Sequence, residues 1–339
     1  MVVRPIPPFR LDLTVWALRR RPRNAIDRWD GTTYRRVILV GDIPTELAVR
    51  QAGSIAAPKL IVTATPAPRT PSERHRVRSL VGRLLGVRID LADWYRTASG
   101  DARLAPLAGT FLGMKPPRFP TVFEAVVNAF ACQQLSLEVG LELLNRLAAL
   151  CGSRAGTPGD ARFAFPTAQE MARLAPEKYQ PIGFSRQKTN ALLSLARAVR
   201  REGLDLETLA HEDDAAIRRH LLELRGVGRW SAEYVLLRGL GRLDVFPGDD
   251  VGAQKGLARW LGRSQPPDYA AVTRAVGRWS PFAGMVYFHL LLRGLSQTGI
   301  IETRRSTGHQ NDQKVDDVRL SLRRRPTPKA AHVAGRFGP

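Results

Sequence analysis

The sequence predicts an α+β fold, a mixed α/β first part built on an antiparallel sheet followed by an all-helical second part. Three observations carry that prediction. Short apolar runs with period two crowd residues 1–112, a proline-rich stretch interrupts the chain at 114–120, and from there to 300 only helical periodicity remains. The expected units are an α/β domain at 1–112, a helical domain at 113–300 and a basic tail at 301–339.

In the first part, Leu11 to Trp16 alternates apolar and polar positions and is predicted as a strand. Tyr34 to Val40, Glu46 to Arg50 and Leu60 to Thr65 are further strands, with Asp30-Gly31 a turn before the first of these. Ser72 to Leu85 carries Val77, Leu80, Val81, Leu84 and Leu85 at helical spacing, with Ser72 as N-cap. Arg19, Arg20, Arg21 and Arg23 form a basic cluster, read as a solvated loop with phosphate contact as the alternative. No catalytic constellation stands out here.

The run Met114 to Pro120 has too many prolines to be helical. After it, Thr121 caps a helix through Phe123, Val126, Val127 and Phe130, and Glu124 completes a capping box. Ser136 opens a second helix through Val139, Leu143, Leu144, Leu147 and Leu150. Further helices are expected at 185–199, 213–222, 250–261, 268–279 and 281–295, and no strand. Beyond Gly299 basic residues lie among Pro, Gly, Ser and Asp without apolar periodicity, which predicts a disordered tail.

A net charge of +21 over 339 residues points to a polyanionic partner, nucleic acid ahead of an anionic membrane; an arginine-rich proteome is the bland alternative. Two cysteines, Cys132 and Cys151, are too few for a four-thiolate zinc or iron–sulfur site. The segment MVVRPIPPF lacks a signal-peptide layout, and the apolar run Phe282 to Leu292 is too short to span a bilayer. A cytoplasmic, nucleoid-associated monomer with no membrane partner is expected.

The strongest pattern lies between Leu224 and Lys255. Arg225-Gly226-Val227-Gly228-Arg229 is a tight turn between two helical runs, together a hairpin over 217–238. Ile217, Leu221, Leu222 and Leu224 stripe the first helix, and Ser231 starts the second. Gly226 and Gly228 open φ values closed to other residues, and N–H groups leading into a helix N-terminus form an anion cradle. Such a cradle holds phosphate and does not read bases. A plain αα-hairpin is the alternative. About twenty residues on, a Val-Phe-Pro-Gly corner leads to Asp249 and Asp250. Either carboxylate also suits a helix N-cap.

The pattern from Leu224 through Gly226, Val227, Gly228 and Trp230 to Ser231-Ala232, with the corner and carboxylates downstream, resembles the helix–hairpin–helix superfamily of base-excision DNA glycosylases. Residues 113–136 and 165–199 resemble the helical core of its DNA-3-methyladenine glycosylase II branch, and the α/β first part fits that branch's extra domain. The resemblance covers about 10 to 300. It implies excision of a flipped-out alkylated purine, of the 3-methyladenine type, from damaged double-stranded DNA. Base departure leaves an oxocarbenium-like sugar, which a fixed carboxylate stabilises while it orients or deprotonates water. The family alignment assigns that role to Asp250.

Relatives that also cut the backbone carry a lysine nucleophile where this chain has Trp230, which implies a monofunctional enzyme that leaves an abasic site. Trp230 and Tyr234 are the implied pocket walls, whose π faces suit electron-poor bases; core packing is the alternative. Phe282 and Leu291 stand at pocket positions where relatives carry other aromatic residues. Arg225, Gly226, Val227, Gly228, Arg229 and Ser231 are implied DNA contacts, as are Gln133 and Gln134, of which Gln134 aligns with the side chain that fills the gap left by the flipped base. Helix-end capping competes for both glutamines. His289 on an apolar helix reads as a core residue. No cofactor is implied, beyond a monovalent cation at the hairpin. Uracil or another deaminated or mismatched base is the rival substrate, and a non-catalytic damage-binding module the rival class.

Overall fold

The computed structural model describes residues 1–302, so the predicted tail lies outside the described residues apart from Ile301 and Glu302. Strands β1 (Val2–Val3), β2 (Arg28–Trp29), β3 (Thr33–Val40), β4 (Ile43–Ala52) and β5 (Lys59–Thr65) form one antiparallel sheet in the order β1-β5-β4-β3-β2. The alternation at Leu11 to Trp16 is not a strand: Leu11–Arg19 is helix α1. Leu11, Leu13, Thr14, Val15, Ala17 and Leu18 are all buried, because α1 is enclosed by the sheet side and by the helical half. A helix covered on most sides keeps no polar stripe, so its 3.6-residue period is hidden. Thr14 is accommodated by donating to the Arg10 carbonyl at 2.9 Å and accepting from the Lys115 N–H at 3.1 Å.

Helix α2 (Pro71–Leu85) starts earlier than Ser72 implies. Thr70 is its N-cap, Pro71 fills the first turn, and Glu73 returns the bond that completes a capping box. Helices α3 (Ala92–Ser99) and α4 (Leu104–Thr110) follow.

The second half holds α5 (Val122–Cys132), α6 (Leu137–Cys151), α7 (Ala168–Arg173), α8 (Arg186–Arg201), α9 (Asp214–Glu223), α10 (Arg229–Val235), α11 (Val251–Leu261), α12 (Tyr269–Gly277) and α13 (Ala283–Gln297). Helix α10 runs on into a π turn over Leu236–Leu240. Thr121, Ser136, Ser185, Asp213, Asp250 and Asp268 each accept a backbone N–H as N-caps. The all-helical expectation misses one small hairpin, β6 (Arg154–Ala155) with β7 (Arg162–Phe163). Two residues per strand are too few to show a period.

The core runs across the compositional break at 113. Leu13, Ala17, Trp94 and Leu107 share one buried cluster with Val272, Val286, Phe288 and Leu292. An ionic contact joins the sheet to α5 as well. Thr121 accepts the Glu124 N–H at 3.0 Å, but the Glu124 carboxylate does not close a capping box. It turns inward onto Arg36 of β3, both oxygens at 2.6 Å, and Arg36 also donates to Asp27 at 2.8 Å. The Tyr34 hydroxyl donates to the same Asp27 oxygen at 2.7 Å. All four residues are buried.

One guanidinium between two buried carboxylates leaves an excess negative charge. Burial, reinforced by Asp27 and opposed by Arg36, pushes the Glu124 carboxyl up to about 7 from 4.5. A folded value above the unfolded one means that its stabilisation is full below about pH 4.5 and is lost as pH rises through about 7. Unfolding free energy is expected to fall by on the order of 2–3 kcal/mol across that window, and Glu124→Gln to flatten the fall. Urea midpoints measured against pH check this; an unchanged slope in the variant would place the titration elsewhere.

Candidate active site

Several elements meet around a cleft of about 1100 Å³: the end of α1, the α5–α6 loop, the hairpin, the start of α11 and one face of α13. The hairpin depends on Gly226, at φ +87°, where a Cβ would stand 2.9 Å from Ala191 Cβ on α8. Gly228 differs from expectation. Its φ of −109° is open to any residue, and a Cβ there would meet nothing within 4 Å. What it leaves is free space on the cleft side of the helix start, which falls at Arg229 and not at Ser231.

Gln133 ties the α5–α6 loop to the hairpin, its amide donating to the Gly226 carbonyl at 2.8 Å and to Ser231 Oγ at 2.6 Å. Lys188 of α8 braces the same loop through the Ala131 and Gln133 carbonyls, at 3.1 and 2.8 Å. The next residue, Gln134, is exposed in the cleft and held at φ +55°. The two glutamines are thus divided, Gln133 spent on the protein and Gln134 presented outward. Arg225 is exposed but does not line the cleft, and the Val227 side chain is buried in the core.

Asp249 and Asp250 separate on contact. Asp249 takes both Arg229 bonds, at 2.7 and 3.0 Å, and Arg229 lies over the Tyr269 ring at 3.8 Å. Asp250 is the N-cap of α11, one oxygen accepting the Ala253 N–H at 2.8 Å. Its other oxygen lies on the cleft side, accepting from the Tyr287 hydroxyl at 3.0 Å and facing Trp230 Nε1 at 3.4 Å. Burial, with Asp250 alongside, holds the Tyr287 phenol well above its ordinary value, so it stays protonated and donates. The cap and the functional reading of Asp250 therefore coexist, one on each oxygen.

The corner that delivers Asp250 is fastened by buried Glu233 of α10. Its carboxylate accepts from the Gly248 N–H at 3.0 Å and the Tyr269 hydroxyl at 2.7 Å, with Arg218 at 3.3 Å. A Cβ on Gly248 would stand 2.6 Å from the Tyr269 ring, so the corner also requires glycine there.

Trp230 is half-buried in the cleft wall, with the Tyr234 ring behind it at 5.3 Å between centroids. Tyr234 is itself buried and is held by Arg20, whose guanidinium donates to the Tyr234 oxygen and to Asn128 Oδ1, both at 2.7 Å. Arg20 is therefore not in a solvated loop. It is a buried residue of the cleft that ends α1 in a left-handed conformation. Leu291 lines the cleft, whereas Phe282 does not: its ring packs edge-on to Trp94 at 6.0 Å in the core. His289 is buried between Trp94 and Phe111, with Nδ1 at 2.7 Å from the Met285 carbonyl. Burial lowers its pKa to about 4, which keeps it neutral as a core residue.

Sequence reasoning missed Tyr287 and Arg20. Tyr287 carried a usable signal, since a phenol on an otherwise apolar buried helix must find a polar partner. Arg20 carried none, because its partners lie 108 and 214 residues away. Among the described residues, no group of three or more His, Cys, Asp or Glu side chains is placed to hold a metal ion.

Residues 127–281 match the model of the HhH-GPD superfamily of base excision DNA repair proteins, a span that includes the hairpin and both aspartates. Over 201 residues the chain is 26% identical to a DNA-3-methyladenine glycosylase of Bacillus subtilis (strain 168), covering 59% of this chain and 66% of that protein. It is 25% identical over 287 residues to the same organism's putative DNA-3-methyladenine glycosylase YfjP, covering 84% and 95%. Among solved structures, the 3-methyladenine DNA-glycosylase from Archaeoglobus fulgidus superposes with a TM-score of 0.76 at 23% identity, over 89% of this chain and 100% of that one. At that identity the last likeness speaks for the fold. Residues 127–281 thus carry the likeness to the HhH-GPD superfamily of base excision DNA repair proteins, and the chain as a whole shares the fold of the Archaeoglobus fulgidus enzyme.

Proposed function

We propose that the protein is a monofunctional DNA glycosylase that removes a flipped-out damaged base, an alkylated purine of the 3-methyladenine type, and leaves an abasic site. The observation that carries this reading is the doubly held Asp250, one oxygen fixed by the α11 cap and the other kept toward the cleft by Tyr287. As the C1′–N bond breaks, its electron pair leaves with the base and positive charge grows on the sugar. A preorganised carboxylate in a partly enclosed cleft stabilises that charge and orients the incoming water. Trp230 offers an aromatic face to the base, Gln134 fills the gap in the duplex, and the Gly226–Gly228 turn holds the DNA backbone. No cofactor is needed for this hydrolysis; a monovalent cation at the hairpin would serve the backbone contact alone.

The monofunctional character rests on Trp230 in place of a nucleophilic lysine. Lys255, a lysine at the cleft, is exposed on α11 beyond the Asp250 cap. A deaminated base is the second reading, favoured by the cationic Arg20 in the cleft. The test is the release of free base, followed by chromatography, from duplexes carrying 7-methylguanine, 3-methyladenine, hypoxanthine or uracil. Release without strand nicking and without a borohydride-trapped adduct is expected. A trapped adduct would overturn the monofunctional assignment, and DNA binding with no base released would leave a damage-binding module.

A further inference from the structure

Gln134 sits in the middle of the short loop from Gln133 to Leu135, between the end of α5 and the Ser136 cap of α6. Its φ of +55° is a conformation that a residue with a side chain keeps only where its surroundings hold it there. Glycine would take that angle freely and present nothing to the cleft. Two neighbours do the holding. The Gln133 amide directs its donors to the Gly226 carbonyl and Ser231 Oγ, which registers the loop against the hairpin turn. Lys188, half-buried on α8 and not itself lining the cleft, donates to the carbonyls of Ala131 and Gln133. Ala131 lies in the last turn of α5, where carbonyls have no partner within the helix and a cation is well placed. The Gln133 carbonyl belongs to the peptide plane that leads into Gln134, so fixing that oxygen fixes the plane from which the Gln134 φ is set. One ammonium therefore pins both the end of α5 and the backbone angle of the residue that faces the DNA.

We infer that Lys188 and Gln133 are positioning residues for base flipping, which act by keeping Gln134 presented to the cleft in a fixed register with the hairpin. The inference rests on the glycosylase reading with Gln134 as the side chain that fills the gap, and it adds the residues that ready Gln134 before DNA arrives. Extruding a base costs its stacking and pairing. A side chain already standing where the gap opens offsets that cost, because it need not be ordered at the moment of binding. A loop free to relax from φ +55° would have to be returned to it in each encounter. Flipping would then slow, while the chemistry at Asp250 would not.

The test compares single-turnover release of 7-methylguanine from two duplexes, one with the lesion paired and one with it opposite an abasic site, where extrusion breaks no base pair. Lys188→Met is expected to lower the paired-to-unpaired rate ratio about tenfold while nearly keeping the unpaired rate. Lys188→Arg, which can still donate to both carbonyls, should restore most of the ratio. Gln134→Ala is expected to lower the ratio alone, and Lys188→Met added to it to lower the ratio no further, because the lysine acts through Gln134. Equal slowing on both duplexes in Lys188→Met would make the lysine a fastener of the fold and overturn the inference. So would additive losses in the double variant, or a Gln134→Ala ratio equal to that of the wild type. The fluorescence of 2-aminopurine placed beside the lesion rises as the base leaves the stack and reads flipping without cleavage. A slower rise in Lys188→Met supports the inference, and an unchanged one sinks it. A wild type that flips the lesion but releases no base is a different failure, that of the glycosylase reading, and the fluorescence comparison still decides the role of Lys188.

Discussion

Asp250→Asn is expected to lower single-turnover base release by about 10³-fold or more while leaving affinity for the damaged duplex nearly intact. The substitution isolates charge from shape. Asparagine is as good an N-cap as aspartate, so its carbonyl oxygen still accepts the Ala253 N–H and α11 keeps its start. The other position becomes an amide nitrogen, which cannot accept from Tyr287 and carries no charge to meet the sugar. Asp249→Asn is the matched control. It breaks the bidentate contact to Arg229 at the rim, and its expected loss is far smaller because Asp249 is turned to that arginine. Equal losses in the two variants, or unchanged turnover in Asp250→Asn, would sink the assignment of chemistry to Asp250.

Much of this site was legible because it is local. Gly226, Trp230 and Asp250 lie within one stretch whose turn, helix start and cap are each written by nearby residues, and Thr121, Ser136, Ser185, Asp213, Asp250 and Asp268, each at an expected helix start, all cap, whereas Ser72 yields that place to Thr70. What escaped was set by contacts distant in sequence. Alternation at Leu11 to Trp16 mimicked a strand because α1 is covered by two different layers. Glu124 looked like half of a capping box, yet Arg36, 88 residues away, takes its carboxylate. Phe282 stood in the right place along the chain for a pocket wall, but Trp94 draws its ring into the core. Gly228 was read as a conformational necessity, whereas its backbone is ordinary and only the space it leaves matters.

That division bears on how Asp250 is kept in place, since its own contacts are local but the corner before it is not. Glu233 reaches from α10 to the Gly248 N–H and the Tyr269 hydroxyl, so one buried carboxylate fixes the corner two residues upstream of Asp250. Glu233→Ala leaves a buried N–H and a hydroxyl without their acceptor, and a stability loss of about 3–5 kcal/mol is expected. The second effect is on rate. A shift of about 1 Å in the carboxylate is enough for a loss of the order of 10²-fold, because the charge no longer stands where it develops. Glu233→Gln retains an acceptor for Gly248, and Tyr269 can reverse its hydroxyl to accept from the amide, so most of the rate should return. Chemical denaturation and single-turnover release, measured on both variants, separate the two roles. If Glu233→Ala loses stability but keeps its rate within about threefold, the corner holds Asp250 without Glu233, and the carboxylate is a fastener of the fold alone.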